Sequence, residues 1–140
     1  MRIIAHDRTA PHDGVEHEGH YYFTNVVGYI IRVNSQTLAV HPPIDLSAFW
    51  DDRLQVGWCR GIHVIDEDRV IVGFSRLRHT AARAAVHFAR HSWRRLQGIR
   101  ARASRPTRIA CLNLRRQVVE WETVLEDYDM HAVFSVHDMG

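Results

Sequence analysis

Three observations in the sequence predict an all-β fold. Aromatic and β-branched residues alternate with polar ones in short runs at both ends of the chain. Each run is bounded by glycine, proline or an acidic turn, and the same order of short runs occurs twice. The stretch CRGIHVIDEDRVIVGFSR, residues 59–76, is the plainest example. Two apolar segments flank Asp66, Glu67 and Asp68, which is the pattern of a β-hairpin closed by a polar turn.

The elements follow in order. HDGVEH (12–17) and HYYFTN (20–25) make a first hairpin across Glu18 and Gly19. Gly28 punctuates the chain before YIIRV (29–33). The turn Asn34, Ser35, Gln36 then leads to a fourth strand over 37–41, ended by Pro42 and Pro43. Strands five and six are the two arms of the 59–76 hairpin. Strands over 107–114 and 117–125, separated by Arg115 and Arg116, complete a second set. In the last of these Val119, Trp121, Thr123 and Leu125 are expected on one face, with Glu120 and Glu122 solvated on the other. Between strands six and seven the period becomes helical. Ala81, Ala85, Phe88, Ser92, Leu96 and Ile99 fall on one stripe, opposite Arg83, His87, Arg90 and Arg94. Gly98 weakens the last turn, and Pro106 stops the helix.

The two halves align as a repeat. HDGVEHEGHYYFTN, GYIIRVN and TLAVHPPIDL run parallel to CRGIHVIDEDRVIVGFSR, TRIACLNL and QVVEWETVL. Gly14 matches Gly61, Thr24 and Asn25 fall near Ser75 and Arg76, and HAVFSVHD (131–138) begins a third unit. Four antiparallel strands in a repeat of about 45 residues is the arithmetic of a β-propeller blade. The expected fold is therefore a partial β-propeller with one inserted amphipathic α-helix. A lead-in covers 1–10, and a single propeller-like domain covers 11–140. Within it, blade one spans 11–46, blade two spans 57–126 with a helical insertion at 77–105, and a third-blade strand spans 131–138. Two blades and a strand do not close a ring, so self-association or a longer propeller context is expected. GWCRG, VGFSRLR, PTRI, the Trp-Glu pair of the outer strand and AVFSVH together resemble the C-terminal blades of uncharacterised bacterial β-propeller proteins. The resemblance implies the fold and carries no activity with it.

Composition narrows the class. With 140 residues the chain can bury one modest core. No run of 18 apolar residues offers a transmembrane helix, and MRIIAHDRTA lacks the apolar core of a signal peptide, so a cytoplasmic location is expected. The only cysteines, Cys59 and Cys111, fall in expected strands and read as small buried apolar residues. All eighteen basic residues are arginines. Ten of them lie between 76 and 108 with no acid among them, so a basic island sits on an acidic body.

Candidate chemistry follows from placement. His12 with Asp13, Arg60 and His131 mark the entries of the innermost strands, which converge on the channel mouth of a propeller. His63 and His137 lie further along those strands. These six are the candidate ligand-binding residues. Imidazole and carboxylate groups there would suit a divalent metal or acid–base work, and no other cofactor is expected. HEGH (17–20) is one residue short of the zinc motif H-E-x-x-H and reads as a hairpin instead. No phosphate loop, nucleophile elbow or dinucleotide fingerprint is present. Arg90, Arg94, Arg95 and Arg100, together with Arg102, Arg105, Arg108 and Trp93, are candidate phosphate-binding residues directed at nucleic acid through 81–105 or at anionic lipid headgroups. The leading expectation is a binding or assembly module with no catalysis of its own. The alternatives are a metal-assisted hydrolase or lyase using His12, Asp13 and His131, and a nucleic-acid binder working through the arginine helix.

Overall fold

A computed structural model describes residues 11–52, 54–77 and 104–137. The lead-in 1–10, the helix expected within the insertion and Asp138 lie outside the described residues.

Each four-strand unit forms one antiparallel sheet with its strands in sequence order. Sheet one contains β1 (Pro11–His17), β2 (His20–Asn25), β3 (Tyr29–Asn34) and β4 (Ile44–Asp45). Sheet two contains β5 (Trp58–Val64), β6 (Arg69–Ser75), β7 (Arg108–Asn113) and β8 (Val118–Val124). Two short 3-10 turns, η1 (Leu46–Phe49) and η2 (Glu126–Tyr128), are the only helical pieces among the described residues. The chain is thus all-β there, and neither sheet closes on itself.

Turn chemistry sets the register. Glu18 and Gly19 both take positive φ, 45° and 75°, which is the twist a two-residue hairpin needs, and His17 pairs with His20 across them. Asp66 closes the β5–β6 turn by accepting from the N–H groups of Asp68 (3.0 Å) and Arg69 (2.8 Å).

The fourth strand departs from expectation. Residues 37–41 pair with sheet one through an isolated bridge from Val40 to Val33, and β4 forms instead at Ile44–Asp45. Asn34 holds the chain back, since its side-chain oxygen accepts from the N–H groups of Gln36 and Thr37 and from the Thr37 hydroxyl. Leu38 then takes φ 58°, and the two prolines lack the donors a ladder needs.

The sheets pack face to face, with β5 against β1 and β2. Tyr22 and Ile30 from sheet one, with Leu46 and Phe49 from η1, meet Cys59, Ile62, Val70, Val72, Phe74, Ala110 and Leu112 of sheet two. Both cysteines are free and buried, and burial pushes the Cys59 thiol up to about 12. β8 also differs from the expected alternation. A register shift leaves Glu120 unmatched between Trp121, which pairs with Cys111, and Val119, which pairs with Leu112. Val119 therefore packs on the core while Trp121 stays exposed, and Glu122 turns toward Trp50 at the end of η1.

Candidate binding surface

Val70, Val72 and Phe74 of β6 face the core, so Ile71, Gly73 and Ser75 face the opposite side of sheet two. Residues 131–137 lie on that side. Ser75 Oγ accepts from Val133 N–H at 2.9 Å and donates to the Val133 carbonyl at 3.2 Å. Thr107 Oγ1 donates to the His131 carbonyl at 3.0 Å.

Glycine makes the approach possible. A Cβ on Gly73 would overlap the Val133 side chain and the Arg60 carbonyl oxygen. A Cβ on Gly61 would come within 2.6 Å of the Val136 nitrogen. Gly61 also takes φ 75° at the bulge that displaces Arg60 from Ile62, a conformation that favours glycine. The expected third-blade strand is thus seated on sheet two, but residues 131–137 carry no strand pairing.

Next to this segment runs a ladder of rings and charge. The Arg60 guanidinium lies 4.9 Å from the Trp58 ring centre and 5.5 Å from that of Phe134. The His12 ring centre stands 6.4 Å from that of Trp58. One residue from β1, two from β5 and one from the 131–137 segment therefore meet at one place. Phe134 is 73% exposed, the most open of the large apolar residues described, and Tyr128, Met130 and Trp121 are exposed as well.

The other candidates have their own settings. Asp13 pairs with Thr24 and His63 with Ile71 in the strand registers. His131 sits beside Asp129, Nε2 to Oδ1 3.1 Å, and His137 is exposed. Among the described residues, no group of three or more His, Cys, Asp or Glu could hold a metal ion. At the far end of the hairpins, Glu18, Asp66, Glu67, Asp68, Arg69 and Asn113 line an open hollow of about 390 Å³. Arg90, Trp93, Arg94, Arg95, Arg100 and Arg102 lie outside the described residues. No helix among the described residues is long and apolar enough to cross a membrane.

Arg105 and Arg108, expected to grip phosphate, instead turn into the protein and form a cluster that ties the segment after η1 to sheet two. Arg108 is fully buried, its guanidinium 4.4 Å from the Phe74 ring centre and 4.8 Å from that of Trp50. Its Nη1 donates to the carbonyls of Val56 (3.0 Å) and Pro106 (3.2 Å), and its Nε lies 3.5 Å from Glu122 Oε2. Burial lowers its pKa to about 10 against the opposing pull of Glu122, so it stays charged at neutral pH. Trp50 donates Nε1–H to Glu122 at 3.2 Å, and Arg105 covers the same indole while pairing with Asp52. The signal for burial lay in the single arginine at the start of a strand otherwise free of charge, RIACLN.

No protein-family model, curated protein or solved structure matches the chain.

Proposed function

We propose that the chain is a β-structured binding or assembly module without catalysis of its own. Its working surface is the 131–137 segment with the His12, Trp58, Arg60 and Phe134 ladder beside it, and it recognises a partner by accepting a β-strand. One observation carries this reading. A segment lies on a glycine floor, anchored through Ser75, yet it has no strand partner and presents an exposed phenylalanine. Unpaired backbone beside apolar side chains is the arrangement that strand addition uses, with main-chain bonds supplying affinity and side chains supplying selectivity. The repeat and the seating of β5 on β1 and β2 support consecutive propeller-type blades, with 131–137 as the opening strand of the next.

The test uses a capped peptide of alternating valine and threonine as a generic strand. Hydrogen exchange at the amides of 131–137 is followed by mass spectrometry in dilute protein. Slower exchange on adding the peptide, abolished by Ser135→Pro, is the expected result. Unchanged exchange at peptide concentrations well above the protein's, in a chain that also stays monomeric, would remove the proposal.

A further inference from the structure

We infer that the partner of the 131–137 edge is a second copy of the same segment, paired antiparallel about a two-fold axis through Phe134. The inference rests on the strand-addition reading and names its partner. Four observations on the segment lead to it.

The backbone is available. Residues 131–137 make no backbone–backbone hydrogen bond among the described residues beyond the anchoring of Val133 and His131 by side chains, and five of the seven residues are exposed. Unpaired N–H and C=O groups on an ordered segment are a template for another strand.

The side chains are self-complementary. HAVFSVH places His131 and His137 at equal distances from Phe134, with Ala132 matching Val136 and Val133 matching Ser135. Antiparallel pairing centred on Phe134 therefore sets ring against ring, small residue against small residue and imidazole against imidazole. No charge of like sign is forced together at its centre. Aromatic cross-strand pairs add roughly 0.2–1 kcal/mol over alanine, and an isologous contact of this kind closes with two copies.

The exposed apolar residues cluster there. Phe134, Met130 and Tyr128, all exposed, lie within one short stretch of chain. In a two-fold pair the outermost of these residues would be shielded by the other copy.

Finally, the contact continues an interface the chain already makes. β5 packs on β1 and β2, and 131–137 takes the same position on sheet two, against Arg60 and Gly61 of β5 and Gly73 and Ser75 of β6. Pairing the segment with its copy adds the second strand that this position has in the preceding unit.

The experiment is the absolute mass of the full chain by light scattering on a sizing column, over a wide range of concentration. Twice 16.3 kDa is expected. Phe134→Asp and Ser135→Pro should each return the chain to a single copy, with the circular dichroism spectrum retained. A variant without that risk is Phe134→Cys. Directly opposed residues in antiparallel strands have Cα atoms about 4.5–5.5 Å apart, within disulfide reach. Phe134→Cys should oxidise to a linked pair, while Ser47→Cys, exposed on η1, should not. The native thiols do not compete, because Cys59 and Cys111 are buried. A dimer that survives Phe134→Asp and Ser135→Pro, or that forms while Phe134→Cys fails to link, overturns the inference. A single-copy chain overturns it too. If that single-copy chain still shows slowed exchange with the valine–threonine peptide, strand addition stands and only the identity of the partner falls.

Discussion

Arg108 keeps its charge in the interior because several groups share it at once. Two aromatic rings cover the guanidinium, two carbonyls accept from it and one carboxylate balances it. Removing one partner of such a buried set leaves the others unsatisfied, so Arg108→Ala should cost about 3–5 kcal/mol. Arg105→Ala, whose partner Asp52 is exposed, should cost about 1 kcal/mol. Urea unfolding of the two variants measures the contrast, and equal losses would mean that Arg108 is not the keystone. His41 supplies the second effect at this scale. Partial burial, then Arg32, then the His20 ring 5.4 Å away lower its pKa. The folded chain then resists protonating a group that the unfolded chain protonates freely. Its contribution is complete above about pH 6.5, the unfolded value, and is lost as pH falls toward the lower folded value. His41→Gln should therefore flatten the fall in thermal stability between neutral and mildly acid pH. An unaltered slope would assign that fall to another group.

Elements were legible where local chemistry and alternation agreed. β2, β3, β5 and β6 stand where their aromatic and β-branched runs place them, and the turns at Glu18 and Asp66 close as their residues dictate. The failures have physical causes that alternation does not carry. Asn34 captures the next turn with its own side chain, so the run over 37–41 meets the sheet at one isolated bridge and forms no strand. One extra residue at Glu120 turns Trp121 outward while Val119 keeps the core side, and nothing in QVVEWETVL announces it. The glycines of β5 and β6 were visible as breaks in their strands, but what lies on them was not. Gly73→Ala tests their purpose. The added methyl would press on both Val133 and the Arg60 carbonyl, so it should cost about 1–3 kcal/mol. Val133→Ala in the same chain should recover only part of that loss, because the backbone oxygen cannot retreat. Full recovery in urea unfolding would show that Arg60 is not pressed, and no loss at all would place 131–137 elsewhere.

At the scale of the whole molecule, the repeat foretold two sheets of four strands but not the ladder that His12, Trp58, Arg60 and Phe134 build between units. Contacts between successive repeats depend on how sheets stack, and strand patterning within one repeat does not contain that information. The arginine-rich insertion poses the complementary question of whether the sheets need it. Its two ends are held together independently of it. Leu77 N–H donates to Ser104 Oγ at 3.2 Å, Arg76 N–H donates to Thr107 Oγ1 at 3.1 Å, and Arg105 N–H donates to the Gln55 carbonyl at 3.0 Å. The Arg76 side chain also pairs with Glu126 at 2.8 Å. Partial burial pushes the Glu126 carboxyl up, but bonds from Thr107 and Arg76 outweigh it and hold the group below its usual range. That pin is therefore charged at neutral pH. Loop closure costs little for added length, about 0.6 kcal/mol for each doubling. Replacing residues 78–103 by a short glycine–serine turn should accordingly leave one cooperative transition, with stability within about 1 kcal/mol of the parent chain. Circular dichroism with urea unfolding decides it. A chain that no longer unfolds cooperatively would mean that the insertion supplies apolar contacts the two sheets cannot do without, and that the acidic body and basic island fold as one unit.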